Sequence, residues 1–212
     1  MSEPPLKVGI TPSEELVELA QSARGLLERI LRTEGAPDAL QRARDLVEQA
    51  SAALEPHAAT GNQPRFTSDA EPSDARPYYF PANHESPVHT SMPWMDVTQQ
   101  GAHWRGRVRF DLVHEGPPAC VHGGFIAYFF DNMLGQLMVG NQIFGPTRQL
   151  QVEYLKPTPV LRPLDFELEL GGREGRRALA QASLWDGETK TAQADAIFLP
   201  PLAAPTTPNQ QT

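Results

Sequence analysis

A histidine followed by two glycines is the first feature near the middle of the chain that could carry chemistry. Residues 116–124 read Gly-Pro-Pro-Ala-Cys-Val-His-Gly-Gly and end in His122, Gly123 and Gly124, directly before an apolar run. Unobstructed backbone N–H groups at a helix N-terminus can bind an anion or stabilise an oxyanion. The same residues are also typical of a tight strand-to-helix turn with a structural histidine. This motif alone leaves both interpretations open.

Asp131 is the second such feature, because it lies between Phe130 and Met133 in the most apolar stretch of the chain. Burial of an unpaired carboxylate costs several kcal/mol or raises its pKa. A carboxylate in such a place is a candidate general base or nucleophile. The alternative is a structural aspartate that caps a loop or pairs with Arg148 or Lys156.

The spacing of the two features limits how they can act together. Gly123 and Asp131 are eight residues apart on one predicted helix, so about 12 Å separates them along its axis. One carbonyl carbon cannot contact both. Either they serve different ends of a substrate, or two copies of the chain build the site. The second alternative predicts an obligate dimer.

The elements that must position these residues follow from hydrophobic periodicity. Residues 121–140 predict a helix with apolar side chains on nearly every face, as is typical of a buried helix. Two strands are predicted before it: one begins near residues 92–98, and one at 104–112 shows period-two alternation. Four more strands are predicted after it, at residues 149–154, 165–170, 179–185 and 191–199. A single antiparallel sheet around one buried helix fits this order better than alternating strand–helix units.

The N-terminal part predicts two amphipathic helices, at about residues 13–31 and 39–54, interpreted as an antiparallel helical hairpin. Each helix has one apolar stripe, to be buried on the other helix, on the rest of the chain or on a partner. The predicted organisation is a hairpin at 1–60, a Pro-rich linker at 61–87, the main domain at 88–200 and a disordered tail at 201–212.

Composition excludes several classes of function. The net charge of -8 disfavours nucleic-acid and anionic-membrane partners. A single cysteine, Cys120, suits a reducing compartment, and no signal peptide or membrane-spanning run is seen, so we expect a cytoplasmic protein. The six histidines show no metal-ligand spacing, and we expect neither a metal nor a cofactor.

The motifs together resemble the hotdog-fold thioesterases. They are Gly-Pro-Pro-x-x-Val-His-Gly-Gly, the nine residues from His122 to Asp131, and Tyr-Leu-Lys-Pro-Thr-Pro from Tyr154. Within that superfamily the chain is most similar to the PaaI-like acyl-CoA thioesterase branch. The resemblance covers about residues 87–200. It implies an α+β hotdog fold, with an antiparallel sheet wrapped around one long buried helix, preceded here by the helical hairpin.

The resemblance also implies roles for individual residues. The Gly123 N–H, with Gly124 close by, polarises the thioester carbonyl, and Asp131 of the partner chain activates water or attacks the carbonyl. Thr147 matches a Ser/Thr position that orients the water or the carboxylate. His122 supports the turn and hydrogen-bonds the carbonyl region.

Further side chains are candidates for substrate binding. Phe125, Phe129 and Met133 could line an acyl tunnel, although such residues are more often core. Lys156, Arg173 and Arg176 belong to the basic concentration of the C-terminal half and could contact the phosphates of coenzyme A, although a solvated strand edge would look the same.

We therefore expect an enzyme of lipid metabolism that hydrolyses acyl-CoA or acyl-carrier thioesters as a homodimer, with tetramers left open and coenzyme A present only as part of the substrate. The alternative is a non-catalytic acyl-CoA-binding or sensing protein. It is favoured by the extra helical hairpin and by Gly116, which stands where some relatives carry the Asn or Gln that places water or the carbonyl. Either that role is dispensed with, or the neighbouring His114 or Glu115 supplies it. A hydratase or dehydratase of the same fold would resemble a different Asp/His motif, which is absent from this sequence.

Overall fold

The computed structural model describes residues 9–66, 74–80 and 88–200. These residues form two compact units that divide between Thr90 and Ser91. The predicted disordered tail at 201–212 lies outside the described residues, as do parts of the predicted Pro-rich linker. No helix in the described ranges is long and apolar enough to cross a membrane.

The N-terminal unit contains the two predicted helices, α1 (Glu14–Arg32) and α2 (Pro37–Leu54). The Ser13 hydroxyl accepts the Leu16 N–H at 3.3 Å and so caps α1. Backbone and Ser13 hydrogen bonds to the Glu15 carboxylate hold the pKa of Glu15 below its usual value. Ala36, in the left-handed conformation with φ 55°, then turns the chain into α2.

Most large side chains of the apolar stripes of α1 and α2 are open to solvent, although Ala20 on α1 is buried. Their large apolar side chains are between 40% and 65% exposed, at Leu19, Leu27, Ile30, Leu31, Leu40, Leu46, Val47 and Leu54. The two helices therefore do not bury these stripes against each other. In the rest of this unit, the two-residue strands β1 (Pro64–Arg65) and β2 (Arg76–Pro77) pair in parallel.

The C-terminal unit is one antiparallel six-stranded sheet with strand order β3-β4-β6-β7-β8-β5. Its strands are β3 (Trp94–Gln100), β4 (His103–Arg109), β5 (Thr147–Tyr154), β6 (Pro163–Glu174), β7 (Arg177–Asp186) and β8 (Thr189–Phe198). All six strands lie where strands were predicted: β4, β5 and β6 from period-two alternation, β7 and β8 from the Asp186-Gly187 turn between them, and β3 from its place before β4. β3 and β5 form the two edges of the sheet.

The core lies between one face of this sheet and helix α3 (Gly123–Gly140). Phe166, Leu168 and Leu184 project into it and are at most 1% exposed. Beneath the helix, β7 and β8 contribute small buried side chains, at Ala178, Ala180, Ala182, Ala192, Ala194 and Ala196. Because alanines occupy little volume, a helix can lie close to the sheet here. The opposite face of the sheet carries the polar residues of the alternation.

Helix α3 is not buried on every side, which corrects the prediction from its composition. One face is fully buried, through Ile126, Phe129, Phe130, Met133, Leu134, Leu137 and Met138. The opposite face is only half-buried, and it carries Ala127, Tyr128, Asp131, Asn132 and Gly135. The apolar count hides this difference, since Ala127 and Tyr128 also count as apolar although they share the second face with Asp131 and Asn132.

Candidate active site

The turn that precedes α3 is anchored by backbone hydrogen bonds. The His122 N–H donates to the His114 carbonyl, and the Val121 N–H donates to the Thr158 carbonyl, both at 2.8 Å. A Cβ at Gly116 would lie 2.8 Å from both Cα and Cβ of His122. The position where some relatives carry Asn or Gln thus has no room for a side chain in this turn.

His122 caps the helix that it precedes. Its Nδ1 accepts the Gly124 N–H at 2.9 Å, so the neutral ring carries its proton on Nε2. This bond occupies the Gly124 N–H, which therefore does not face a substrate. The Gly123 N–H, in contrast, has no hydrogen-bond partner in the described part of the chain. Of the two predicted donors, only Gly123 is available to an oxyanion.

Tyr154 holds Gly123 from the sheet. Its hydroxyl donates to the Gly123 carbonyl at 2.9 Å, and a Cβ on Gly123 would lie 3.0 Å from its Cζ. Tyr154 belongs to the Tyr-Leu-Lys-Pro-Thr-Pro motif, but it was not predicted as a site residue. The contact joins residues 31 positions apart, so no local pattern reveals it. The sequence signal for this contact is a tyrosine at the end of a predicted strand, which the fold places opposite a glycine.

Asp131 lies two turns further along α3 on the half-buried face. The prediction of full burial is wrong for the single chain, because the small residues Ala127 and Gly135 beside it leave its carboxylate partly open. Among the described residues nothing hydrogen-bonds or ion-pairs with this carboxylate, and neither Arg148 nor Lys156 contacts it. The carboxylate is thus available to an external group.

Thr147 is not brought near Gly123 within one chain. Thr147 begins β5, whereas Tyr154, which contacts Gly123, ends it. Seven residues of extended strand span roughly 24 Å. Thr147, the predicted water-orienting residue, therefore lies at one end of β5, and Gly123, the predicted oxyanion donor, lies beside the other end.

The predicted basic residues are likewise divided between the two ends of the sheet. Lys156 follows Tyr154, and its N–H donates to the Thr191 carbonyl at the end near Gly123. Arg173 and Arg176 lie at the β6–β7 turn, at the other end, about 24 Å away along β8. The Arg176 guanidinium donates to the Pro200 carbonyl at 3.2 Å. All three side chains belong to exposed residues, but one chain does not assemble them into a cluster.

The predicted acyl-lining residues separate in a similar way. Phe129 and Met133 are completely buried, and Phe129 packs edge-on against Phe110 and Phe166 with ring centroids 5.7 and 5.3 Å apart. Phe125 is half-buried beside His114, with centroids 4.9 Å apart. Phe129 and Met133 thus face the packed core rather than the side of α3 that carries Asp131.

His114, one of the two neighbours of Gly116 that could take the role of the missing Asn or Gln, is a buried histidine. Its Nδ1 accepts the Asp111 N–H at 2.9 Å, and its Nε2 donates to the Ser91 carbonyl at 3.2 Å. Its own carbonyl receives the His122 N–H. His114 therefore supports the turn that carries His122. Among the residues that the structure describes, no three His, Cys, Asp or Glu side chains are grouped to hold a metal ion.

Comparison with known proteins identifies the architecture. No protein-family model matches the chain. A solved structure described as a thioesterase superfamily protein matches 93% of this chain and 97% of its own length, with a TM-score of 0.74 and 22% identity. The chain has the hotdog thioesterase fold. This confirms the predicted fold class and the predicted resemblance to that superfamily, while the PaaI-like branch stays a prediction.

One characterised relative is similar over a shorter stretch. The acyl-coenzyme A thioesterase THEM4 of Rattus norvegicus is 32% identical over 87 residues, which are 40% of this chain and 37% of THEM4. The match thus spans little more than a third of that relative's length. Similarity to an acyl-CoA thioesterase agrees with the class of chemistry that the sequence predicts.

Proposed function

We propose that this chain hydrolyses acyl-CoA thioesters at a site shared between two copies of the chain. One observation carries the proposal: among the described residues, the Gly123 N–H and the Asp131 carboxylate on helix α3 have no hydrogen-bond or ion-pair partner. The two groups lie about 12 Å apart along the helix. An oxyanion donor and a base or nucleophile are the two groups that thioester hydrolysis requires.

The edge strand β5 offers a route to a shared site. β5 pairs only with β8, so its outer backbone groups have no partner in the described chain. Such an edge is a template for pairing with another strand, and most homodimers are two-fold symmetric. Antiparallel pairing of two β5 strands sets the Thr147 end of one beside the Tyr154 end of the other. Gly123 of one copy would then face Thr147 and Asp131 of the other.

The same symmetry brings the divided basic residues to one side. Lys156 of one copy and the partner's Arg173 and Arg176 would lie at the same end of the joined sheet. Guanidinium and ammonium groups bind phosphates through charge-assisted hydrogen bonds. We assign these three side chains to the phosphates of coenzyme A. The acyl chain would follow the half-buried face of α3, starting at Phe125.

Hydrolysis at the proposed site consumes one water molecule and breaks the C–S bond of the thioester. Water attacks the thioester carbonyl carbon while Asp131 accepts its proton, and the Gly123 N–H stabilises the oxyanion. The C–S bond then breaks, and the thiolate takes up the proton, leaving free acid and thiol. Alternatively, the Asp131 carboxylate attacks first and water hydrolyses the resulting anhydride. Both routes need a carboxylate without an ion-pair partner. Thr147 of the same copy orients the water or this carboxylate.

The direct test of the activity is release of free thiol from a panel of aliphatic and aryl acyl-CoAs. We expect turnover with at least one member of the panel. Absence of turnover together with measurable acyl-CoA binding would contradict hydrolysis. It would favour the alternative, a non-catalytic acyl-CoA-binding or sensing protein, which Gly116 supports because this turn offers no amide to place water.

The shared site is tested by complementation between two inactive variants. Gly123→Val and Asp131→Asn each disable both sites of a homodimer. In a mixed dimer one site carries both changes and the other carries neither. After equal mixing and exchange of subunits, we expect about a quarter of wild-type activity to return. Failure to regain activity, with mixed dimers demonstrated by mass spectrometry, would contradict the shared site, as would an active monomer.

We retain the wider predictions from the sequence as part of this proposal. They are a cytoplasmic location, a role in lipid metabolism and membership of the PaaI-like branch, with dimers that can pair further into tetramers.

A further inference from the structure

The two glycines that begin α3 pose a physical problem for catalysis. An oxyanion donor must point in a fixed direction, because its contribution depends on preorganisation. Glycine, however, has the most conformational freedom of any residue. Gly123 and Gly124 follow each other at the site of the only unpartnered N–H in the described first turn of the helix. Something besides the backbone's own preference must hold them.

Two side chains hold the peptide group that joins these glycines. On one side the Tyr154 hydroxyl donates to the Gly123 carbonyl at 2.9 Å. On the other side the Gly124 N–H donates to His122 Nδ1, also at 2.9 Å. The peptide plane is therefore fixed at both its oxygen and its nitrogen. The Gly123 N–H belongs to the preceding peptide group, whose carbonyl at His122 accepts the Phe125 N–H at 2.9 Å. Because both peptide groups that flank its Cα are held, Gly123 has little freedom to rotate, and Tyr154 supplies the restraint on its carbonyl side.

Burial does not account for Tyr154 at this place. The residue is 54% exposed although it ends a strand whose alternation directs it toward α3. Its ring lies against Gly123 where any side chain would have to displace it, with the hypothetical Cβ 3.0 to 3.2 Å from Cζ, Cε1 and the hydroxyl. The hydrogen bond to Gly123 is its one polar side-chain contact in the described chain.

We propose that Tyr154 is a positioning residue that directs the Gly123 N–H toward the substrate carbonyl without contacting the substrate itself. This inference rests on the proposed function, since it assigns how the oxyanion donor of that site is held. It also links β5 to the helix: the strand whose edge we propose to pair with a partner holds the donor at its last residue.

The test compares Tyr154→Phe with Tyr78→Phe, which removes a hydroxyl in the N-terminal unit. Tyr154→Phe keeps the ring, so we expect it to fold with an unchanged melting temperature. Loss of one hydrogen bond that acts on the transition state should lower kcat about five- to tenfold and leave KM unchanged. Tyr78→Phe should change neither parameter. A rise in KM at constant kcat would overturn the proposal, because it would mean that the hydroxyl binds substrate directly.

A second readout is independent of hydrolysis. The ¹⁵N order parameter of the Gly123 amide should fall in Tyr154→Phe from the value of about 0.85 typical of rigid backbone. An unchanged order parameter would contradict the proposal even if kcat falls. If the wild-type protein releases no thiol, the proposed function fails, while this measurement still decides whether Tyr154 holds Gly123.

Discussion

The first turn of α3 and its middle turn carry the two groups of the proposed site, and the chain supports them differently. The Gly123 peptide is held by His122 and Tyr154, and the turn before it is anchored to two other segments. The Asp131 carboxylate has no such support within the described residues. The two regions belong to one rigid helix, so the difference lies in the surroundings and not in the element that carries them.

This difference between Gly123 and Asp131 indicates which part of the proposed site depends on groups from outside the chain. The oxyanion donor, the Gly123 N–H, is held in place by residues of its own chain. A carboxylate left half-buried and unpaired would be costly in a finished protein interior, because desolvation without a partner destabilises it. In the proposed site, a second copy and the substrate would therefore cover the face of α3 around Asp131.

The largest effect is expected for Asp131→Asn, which keeps the shape and removes the base or nucleophile. We expect kcat to fall at least about a hundredfold, in the range typical for a general acid–base group. Stability should stay within about 0.5 kcal/mol, as for a surface change that breaks no contact. Asp165→Asn, on the polar face of the sheet, is the matched control in assays of thiol release. Turnover by Asp131→Asn equal to that of the wild type would mean that Asp131 is not a catalytic residue.

A smaller effect is expected for Gly123→Ala, which tests the first turn of α3, where His122 and Tyr154 hold the Gly123 peptide. The added Cβ would lie 3.0 Å from the Tyr154 ring, and the half-exposed ring can yield. We expect the hydrogen bond to Gly123 to be lost and kcat to fall about tenfold, as when an aimed donor is misplaced. Combined with Tyr154→Phe, the losses should not add, since both changes remove one contact. Additive losses in a double-mutant cycle would mean that the two residues act separately.

The smallest effect on turnover is expected for Gly135→Ala, one turn beyond Asp131. An added Cβ there meets no atom of the same copy within 4 Å, so better helix propensity should stabilise each copy by up to about 1 kcal/mol. Turnover should change less than about threefold. Gly140→Ala is the contrast, because its Cβ would lie 2.6 Å from Cζ2 of Trp104. We expect it to destabilise by about 1–3 kcal/mol in thermal unfolding, as overpacking does.

The fold could be predicted to a large extent from the sequence, because its signals are local. Leu164, Phe166 and Leu168 alternate with acidic residues, and this alternation alone defines a half-buried strand. The two faces of α3 could not be separated in this way. Met133 and Ala127 are both apolar, yet only Met133 is fully buried, and the difference depends on which side the sheet lies.

The candidate site could be predicted only in part, for a related reason. His122, Gly123 and Asp131 are near in sequence and form a recognisable spacing. The hydrogen bond from Tyr154 to Gly123 depends on strand order, which periodicity does not report. The separation of Lys156 from Arg173 also depends on strand order, because two basic residues of the same half of the chain can lie at opposite ends of a sheet.

The strand order also governs when the molecule can assemble during synthesis. β8 is the last strand of the sheet in sequence, yet it lies inside the sheet between β7 and β5. β5 has no other neighbour, so it stays unpaired until residues 189–198 have left the ribosome. Pairing across such a sequence separation is a slow, nonlocal step. The edge strand, and Tyr154 with it, thus reaches its place only when the sheet closes, and a chain that stops at Gly187 would contain every proposed catalytic residue without a strand to hold them together.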